Sequence, residues 1–304
     1  MKKILHYDVG EKLGEGKNGP TYLAWDSGLE RAVVIKMLDR GPARDEAWRA
    51  AYTDEIVRVN RIGSDRLANF YSLESVDGKP AIIREYVQGL SVKQLAADAA
   101  VDFEQFLKIA IEATRGLMDL QARHMIHRNI TSSNIIYAKE GLVKLVDYRL
   151  DAVGTSAMSA EDLTFLAPER LTGGESSHLS DLYSLGSALY HLLTGHLPYA
   201  MVDSASLREH ILSGEGLFSD VKSDRFPGDA RLLVETMMAV NPGERFGGAD
   251  EVLLTLREML HFAAEKSEYM AEERGRWTSR QYLTVSLVVL FIVIIWFLVT
   301  LFNR

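Results

Sequence analysis

"HRNITSSN", residues 127–134, decides how the rest of the chain is read. A histidine, an arginine and two asparagines share one short loop-like stretch. The stretch reads like a loop built for chemistry, yet neutral Asn129 stands where a base would be useful, and Thr131 where a cation would be. The stretch is either an active centre with altered chemistry or a frame kept for another purpose.

The flanks are mostly helical. Upstream, Phe106, Ala110, Ala113, Leu117 and Leu120 step by 4, 3, 4 and 3, which marks one face of a helix. Downstream, "LVKLVDYRL" (142–150) reads as a short apolar strand. "DLYSLGSALYHLLTG" (181–195) is apolar nearly all round, hence a buried helix closed by Gly195. Helical patterning continues to about residue 262.

The N-terminal part has a different period. "YDVGEKLGEG" (7–16) and "GPTYLAWD" (19–26) alternate and are broken by glycine, and "ERAVVIKML" (30–38) is a β-branched run. Residues 45–61 read as a helix, acidic early and arginine-rich late, as the helix dipole favours. "FYSLESVDGKPAIIREYV" (70–87) predicts two strands about an Asp-Gly turn. A small β-rich lobe thus precedes a larger helical one, with no internal repeat.

Composition narrows the function classes. With 304 residues, 47% hydrophobic and 25% charged, the chain is ordinary for a globular protein. A net charge of −8 argues against nucleic acid as a partner. The absence of cysteine excludes disulfides and thiolate metal sites. "MKKILHYDVG" holds too short an apolar patch for a signal peptide core.

"LGEGKNGPTYLA" (13–24) carries Gly14, Gly16 and Gly19 as GxGxxG, a weak signal alone. A strand follows it, which removes the dinucleotide-binding reading, because that fingerprint opens a helix. Other residues follow in order: Lys36 ending "VVIK", Glu55 mid-helix 19 residues later, "HRNITSSN", and Asp147 in "DYR". Then come "APE" at 167–169, "SDLYSLG" with Asp181, and "NPGERF" with Arg245. In this order and spacing the chain resembles a eukaryotic-like Ser/Thr protein kinase domain of the bacterial branch, from residue 8 to about 260.

The resemblance implies an α+β, bilobal kinase-like fold, with an N-lobe over 1–88 and a C-lobe over 89–262. It also implies roles. The glycine loop would cover ATP phosphates, and Lys36 would contact them, oriented by an ion pair to Glu55. Asn134 and Asp147 would hold Mg²⁺ or Mn²⁺, and the hinge, Glu85 to Val87, would meet the nucleotide. Glu169 and Arg245 would form a buried ion pair, and Asp181 would anchor the catalytic loop, of which His127 and Arg128 are structural parts.

Departures from the family pattern cluster at the chemistry. Asn129 replaces the aspartate that accepts the hydroxyl proton, and Thr131 replaces a lysine near the transferring phosphate. No catalytic residue of that loop is intact. DFG has become Asp147-Tyr148-Arg149: Tyr148 brings a hydroxyl that needs a partner. Arg149 removes a glycine's freedom, and is expected to lock the segment or to pair with Glu55 or Asp147. Thr21 and Val34 stand where valine and alanine are usual, Pro20 removes a strand donor, and Arg84 falls at the gatekeeper position. An arginine there must be paired or point outwards. These changes speak against ATP with Mg²⁺ or Mn²⁺, whereas Lys36, Glu55, Asn134 and Asp147 speak for it. Lys36 and Glu55 also read as a purely structural pair, and His127 as a core histidine. Thr155, Ser156, Ser159 and Thr164 lie in a segment that either accepts phosphate, with Arg128 as one partner, or is a solvated loop.

At the C-terminus, Tyr282 to Phe302 is 21 residues without a charge. As a helix it would span roughly 31 Å, about one bilayer core. Lys266, Arg274, Arg276 and Arg280 precede it and Arg304 follows, so the positive-inside rule puts the large domain in the cytoplasm. The expectation is a juxtamembrane helix or linker over 263–281, a transmembrane helix over 282–302 and a tail-anchored protein. Residues 263–304 carry net +1, with five basic and four acidic side chains. The sequence therefore predicts a membrane-anchored pseudokinase working through a protein partner, such as an active kinase or a phosphothreonine-reading domain. The alternative is a slow or unorthodox ATP-dependent transferase, kinase-like or nucleotidyl-transferring.

Overall fold

The computed structural model describes residues 2–16, 19–38, 45–98, 101–149, 158–199, 204–215, 217, 227–266, 268–272, 284 and 289–290. Two compact units divide the chain, Met1–Arg257 and Glu258–Arg304. Among the described residues no helix is long and apolar enough to cross a membrane. The run from Tyr282 to Phe302 lies outside them, save Thr284, Val289 and Leu290.

The first unit opens with a six-stranded antiparallel sheet in the order β1-β2-β3-β4-β6-β5. Its strands are β1 (Lys2–Ile4), β2 (Tyr7–Gly16), β3 (Gly19–Asp26), β4 (Arg31–Met37), β5 (Phe70–Val76) and β6 (Lys79–Glu85). Asp77 and Gly78 join β5 to β6 with φ of 50° and 74°, the positive values that a two-residue hairpin requires. Val33, Ile35 and Met37 of β4 share a face with Ala81 and Ile83 of β6, and that face closes over Ile4, Tyr7 and Val76. Side chains alternate along a strand, so Val34 and Lys36 lie on the opposite face.

Helix α1 (Glu46–Asn60) starts at Asp45, whose carboxylate accepts from Ala47 N. Its Tyr52 and Ile56 pack with Leu38 and Ile82 into a second cluster that Trp48, Phe70, Leu73 and Tyr148 complete. Trp48 stacks on Tyr52 with ring centroids 4.9 Å apart. The helix is thereby seated on aromatic contacts beside the even-numbered face of β4.

The larger lobe is helical. It contains α2 (Val92–Asp98), α3 (Phe103–Gln121), α4 (Ala160–Leu163), α5 (Pro168–Leu171), α6 (His178–Thr194), α7 (Ser204–Ser213) and α8 (Gly228–Met237). A further helix begins at 249. Helix α6 is buried along nearly its whole length, starts in a capping box of Ser177 and Ser180, and ends on Gly195 at φ 74°. A three-stranded sheet, β7 (Gly89–Ser91), β8 (Ile135–Ala138) and β9 (Val143–Leu145), frames the loop of interest. Strand β9 is shorter than the apolar run 142–150 implied, because the chain leaves the sheet to present Asp147.

Candidate functional site

Strand register builds the site. Val34 sits opposite Arg84, and Lys36 opposite Ile82 and, on the other side, Thr21. Directly opposed residues share a face, so Thr21, Val34, Lys36 and Arg84 all line the side turned away from the Ile4–Tyr7 cluster. Val34 is buried and Thr21 half-buried.

Asp147 enters that face from the loop after β9, at φ 63°. Its Oδ2 accepts from Lys36 Nζ at 2.8 Å and its Oδ1 from Arg84 Nε at 2.7 Å. The two cationic side chains and the carboxylate are 19%, 13% and 13% exposed, so solvent screens the cluster little. Burial works to raise the Asp147 carboxyl, but Arg84 and Lys36 outweigh it and hold the group well below the carboxylate range. The Arg84 guanidinium also donates through Nη1 to the backbone oxygen of Glu85 at 3.0 Å. Arg84, which the sequence required to be paired or turned outwards, is thus paired inwards.

The expected ion pair between Lys36 and Glu55 does not form. Glu55 Oε1 accepts from Arg128 Nη1 and from the Tyr148 hydroxyl, each at 2.8 Å. Arg128 Nη1 also lies 3.0 Å from the Tyr148 oxygen. Both bonds fall on Oε1 and hold the Glu55 carboxylate to the loop and to the DYR segment. Lys36 pairs with Asp147 instead. Burial and the Glu55 carboxylate push the Tyr148 phenol up, so it remains a donor. Neither carboxylate takes Arg149, whose backbone N–H donates to His127 O at 3.2 Å and whose guanidinium pKa is lowered by burial. The expected pairing of Arg149 with Glu55 or Asp147 is absent among the described residues.

The catalytic-type loop is held from below by Asp181 on α6. Its Oδ2 accepts from His127 N at 2.6 Å and its Oδ1 from Arg128 N at 2.9 Å. These bonds offset the cost of a positive φ, 62°, at Arg128. His127 is buried edge-on to Tyr148, with centroids 5.6 Å apart, and burial pushes its imidazole down to about 3. It is a neutral core residue and takes no proton near pH 7. Asn129 Nδ2 donates to Asp147 O at 2.7 Å, and Asn134 Nδ2 donates to Asn129 O at 2.8 Å. Thr131 is half-buried, and its backbone oxygen closes the turn to Asn134 N at 3.0 Å.

Glu169 and Arg245 meet in a bidentate pair, Nη1 to Oε1 at 2.9 Å and Nη2 to Oε2 at 2.7 Å. Arg245 also donates to the carbonyls of Ala239 and Leu179. In the glycine turn, Gly14 opposes Thr21, Glu15 opposes Pro20 and Gly16 opposes Gly19. In the hinge, Glu85 spends its carboxylate on Lys144 and Asn69, and Val87 is half-buried. Thr155 and Ser156 lie outside the described residues. Ser159 caps α4, and Thr164 is buried.

Sequence reading missed the union of Glu55, Arg128 and Tyr148, and the role of Lys144. The one signal for the first was the Tyr148 hydroxyl, which had to find a partner. Nothing in the local pattern named Lys144.

A divalent cation does not fit this donor set. Mg²⁺ binds oxygen at about 2.0–2.1 Å in a near-octahedral shell. Both Asp147 oxygens already carry a cationic nitrogen, so a metal there would stand against Arg84 or Lys36. Among the described residues no group of three or more His, Asp or Glu is placed to hold a metal ion.

A family model described as "Protein kinase domain" matches residues 7–256. Among curated relatives, Serine/threonine-protein kinase PksC of Streptomyces coelicolor is 27% identical over 261 residues, covering 80% of this chain and 47% of its own length. Serine/threonine-protein kinase PknL of Mycobacterium tuberculosis is 26% identical over 251 residues, covering 80% and 63%. Serine/threonine-protein kinase PrkC of Bacillus subtilis is 24% identical over 257 residues, covering 81% and 39%. The chain therefore spans about 39–63% of the length of these relatives.

Proposed function

Because the chain belongs to the protein kinase domain family, we propose that it acts as a membrane-anchored pseudokinase. It serves as a scaffold or allosteric regulator at the cytoplasmic face, with phosphotransfer lost or very weak. The observation that carries this reading is the hydrogen bond from Asn129 Nδ2 to Asp147 O at 2.7 Å. At the position of the proton acceptor stands a neutral amide whose N–H is spent on the backbone. General base catalysis contributes typically 10²- to 10⁴-fold, and that contribution has no carrier here. Thr131 supplies no charge for the transferring phosphoryl group either.

The frame around these losses supports a retained fold. Asp181 still holds the loop, and Glu169 still pairs with Arg245. A fold kept without its chemistry suits binding to another protein. An active kinase, a phosphothreonine-reading domain or a membrane-associated assembly fits the role. The uncharged run from Tyr282 to Phe302, with its basic flank, supports a single span with the domain on the cytoplasmic side.

The test is label transfer from ATP by the full chain in detergent micelles, with the label on the α- or the γ-phosphate. The pseudokinase reading expects neither label on protein. Transfer of γ-label at a kinase-like rate, abolished in Asn129→Ala, would overturn it. Transfer of α-label would replace it with nucleotidyl transfer.

A further inference from the structure

The cluster on Asp147 has more organisation than a pocket with lost function requires. We propose that Arg84 takes the place of a divalent cation at Asp147, so that the cleft closes on its own charges and admits no metal–nucleotide complex. Arg84 Nε lies 2.7 Å from Oδ1 and Lys36 Nζ 2.8 Å from Oδ2. Together they bring two positive charges to one carboxylate, as a divalent metal would, but on side chains tethered to adjacent strands of the same sheet.

The same guanidinium covers a second position. Its Nη1 donates to Glu85 O at 3.0 Å, the first carbonyl of the hinge. One side chain thereby occupies both a hinge acceptor and the metal-type carboxylate, and a nucleotide needing either must displace it. Two departures from the family pattern act together here. The Tyr148 hydroxyl and Arg128 hold Glu55, which leaves Lys36 without its expected partner. Arg84 then completes the pair of cations on Asp147. The links run from β4 and β6 to the loop after β9, so they tie the sheet to the helical lobe without a ligand.

A chain that binds a metal–nucleotide complex yet transfers nothing overturns the role of Arg84 and leaves the scaffold reading standing.

The experiment is Mn²⁺ titration followed by electron paramagnetic resonance, paired with thermal melting of the full chain in micelles, with ATP present. For the unaltered chain the expected result is no ATP-dependent Mn²⁺ binding. Its melting temperature should not rise more with Mg²⁺ and ATP than with ATP and EDTA. Arg84→Leu is expected to melt lower without ligand, to bind Mn²⁺ with ATP, and to gain several degrees from Mg²⁺ and ATP. Mn²⁺ bound by the unaltered chain with ATP overturns the proposal. So does a folded Arg84→Leu that gains no metal binding, because something else then excludes the metal. Should Arg84→Leu fail to fold, Arg84→Lys keeps a charge but cannot bridge Asp147 Oδ1 and Glu85 O. It is expected to melt lower and to admit Mn²⁺ weakly, and behaviour identical to the unaltered chain sinks the idea.

Discussion

Glu55 accepts a hydrogen bond from the Tyr148 hydroxyl at 2.8 Å on the same oxygen that takes Arg128. The phenol lies in the DYR segment and the carboxylate on α1, so the bond fixes the helix to the segment following β9. Arg128 joins both, and its guanidinium carbon lies 5.8 Å from the Tyr148 ring centroid. Lys36 pairs with Asp147.

Tyr148→Phe tests that contact. It removes one oxygen and leaves the ring in its cluster with Tyr52 and Ile82. A hydrogen bond to a charged group contributes about 1.5–3 kcal/mol. The variant is therefore expected to melt lower by roughly 3–6 °C. Lys36 should remain on Asp147, since Arg128 still holds Glu55. An unchanged or raised melting temperature would show that the hydroxyl contributes nothing.

Asn129→Asp restores the family's carboxylate, yet it is expected to fail as a gain of function. An ionised carboxylate cannot donate to Asp147 O, which now accepts from the amide at 2.7 Å. Two acceptors would face each other, at a cost of about 1–3 kcal/mol. Phosphotransfer should stay absent, because Thr131 still lacks a charge and Asp147 is still held by Arg84 and Lys36. A melt and a γ-label assay read the two halves separately. Brisk phosphorylation by this single variant would mean that only the base was missing.

Much of this was legible in sequence where the signal is local. The run "GPTYLAWD" coincides with β3, the helix read over 45–61 is α1 (Glu46–Asn60), and the Asp77-Gly78 turn joins β5 to β6. Strands β1 and β7 passed unnoticed because three residues are too few for an alternation to register, and pairing with a neighbour defines them. Within the site, sequence required Arg84 to be paired or turned outwards without deciding which. It also supplied Lys36 and Glu55 without showing which cation Glu55 would take. That contest was settled by Arg128 and Tyr148, 73 and 93 residues away along the chain, which no local period can encode.

The pair of Glu169 and Arg245 should behave unlike the ion pairs at the surface. The Arg245 side chain is fully buried and its charge is shared among Glu169 and several carbonyls. Glu169→Gln leaves that guanidinium short of its counter-charge, and losing one partner of a buried pair costs about 3–5 kcal/mol. The exposed helical pair of Arg231 and Glu235 offers the contrast. There Glu235→Gln is expected to change stability by no more than about 0.5 kcal/mol. Chemical denaturation of both variants tests the ordering, and equal costs would contradict it.

Acid sensitivity should carry the signature of His127. Burial, opposed in part by Asp147 and reinforced by Arg128 and Arg149, holds its imidazole at about 3 in the folded chain. In the unfolded chain it titrates near 6.5. Between those values the unfolded state binds a proton that the folded state refuses, so stability falls as pH drops from about 6.5 towards 3. The slope approaches about 1.4 kcal/mol per pH unit for one proton. Asp147 acts in a lower window. Its folded value is depressed, so its contribution is present above about 4 and is lost only as pH falls further. His127→Phe keeps an aromatic ring beside Tyr148 and takes up no proton. The variant is expected to lose about one proton's worth of the slope between pH 6.5 and 4.5. His191, also lowered by burial, keeps its share in both proteins. Stability measured by denaturant at several pH values decides the matter, and parallel slopes for the two proteins would mean that His127 is protonated in the folded chain.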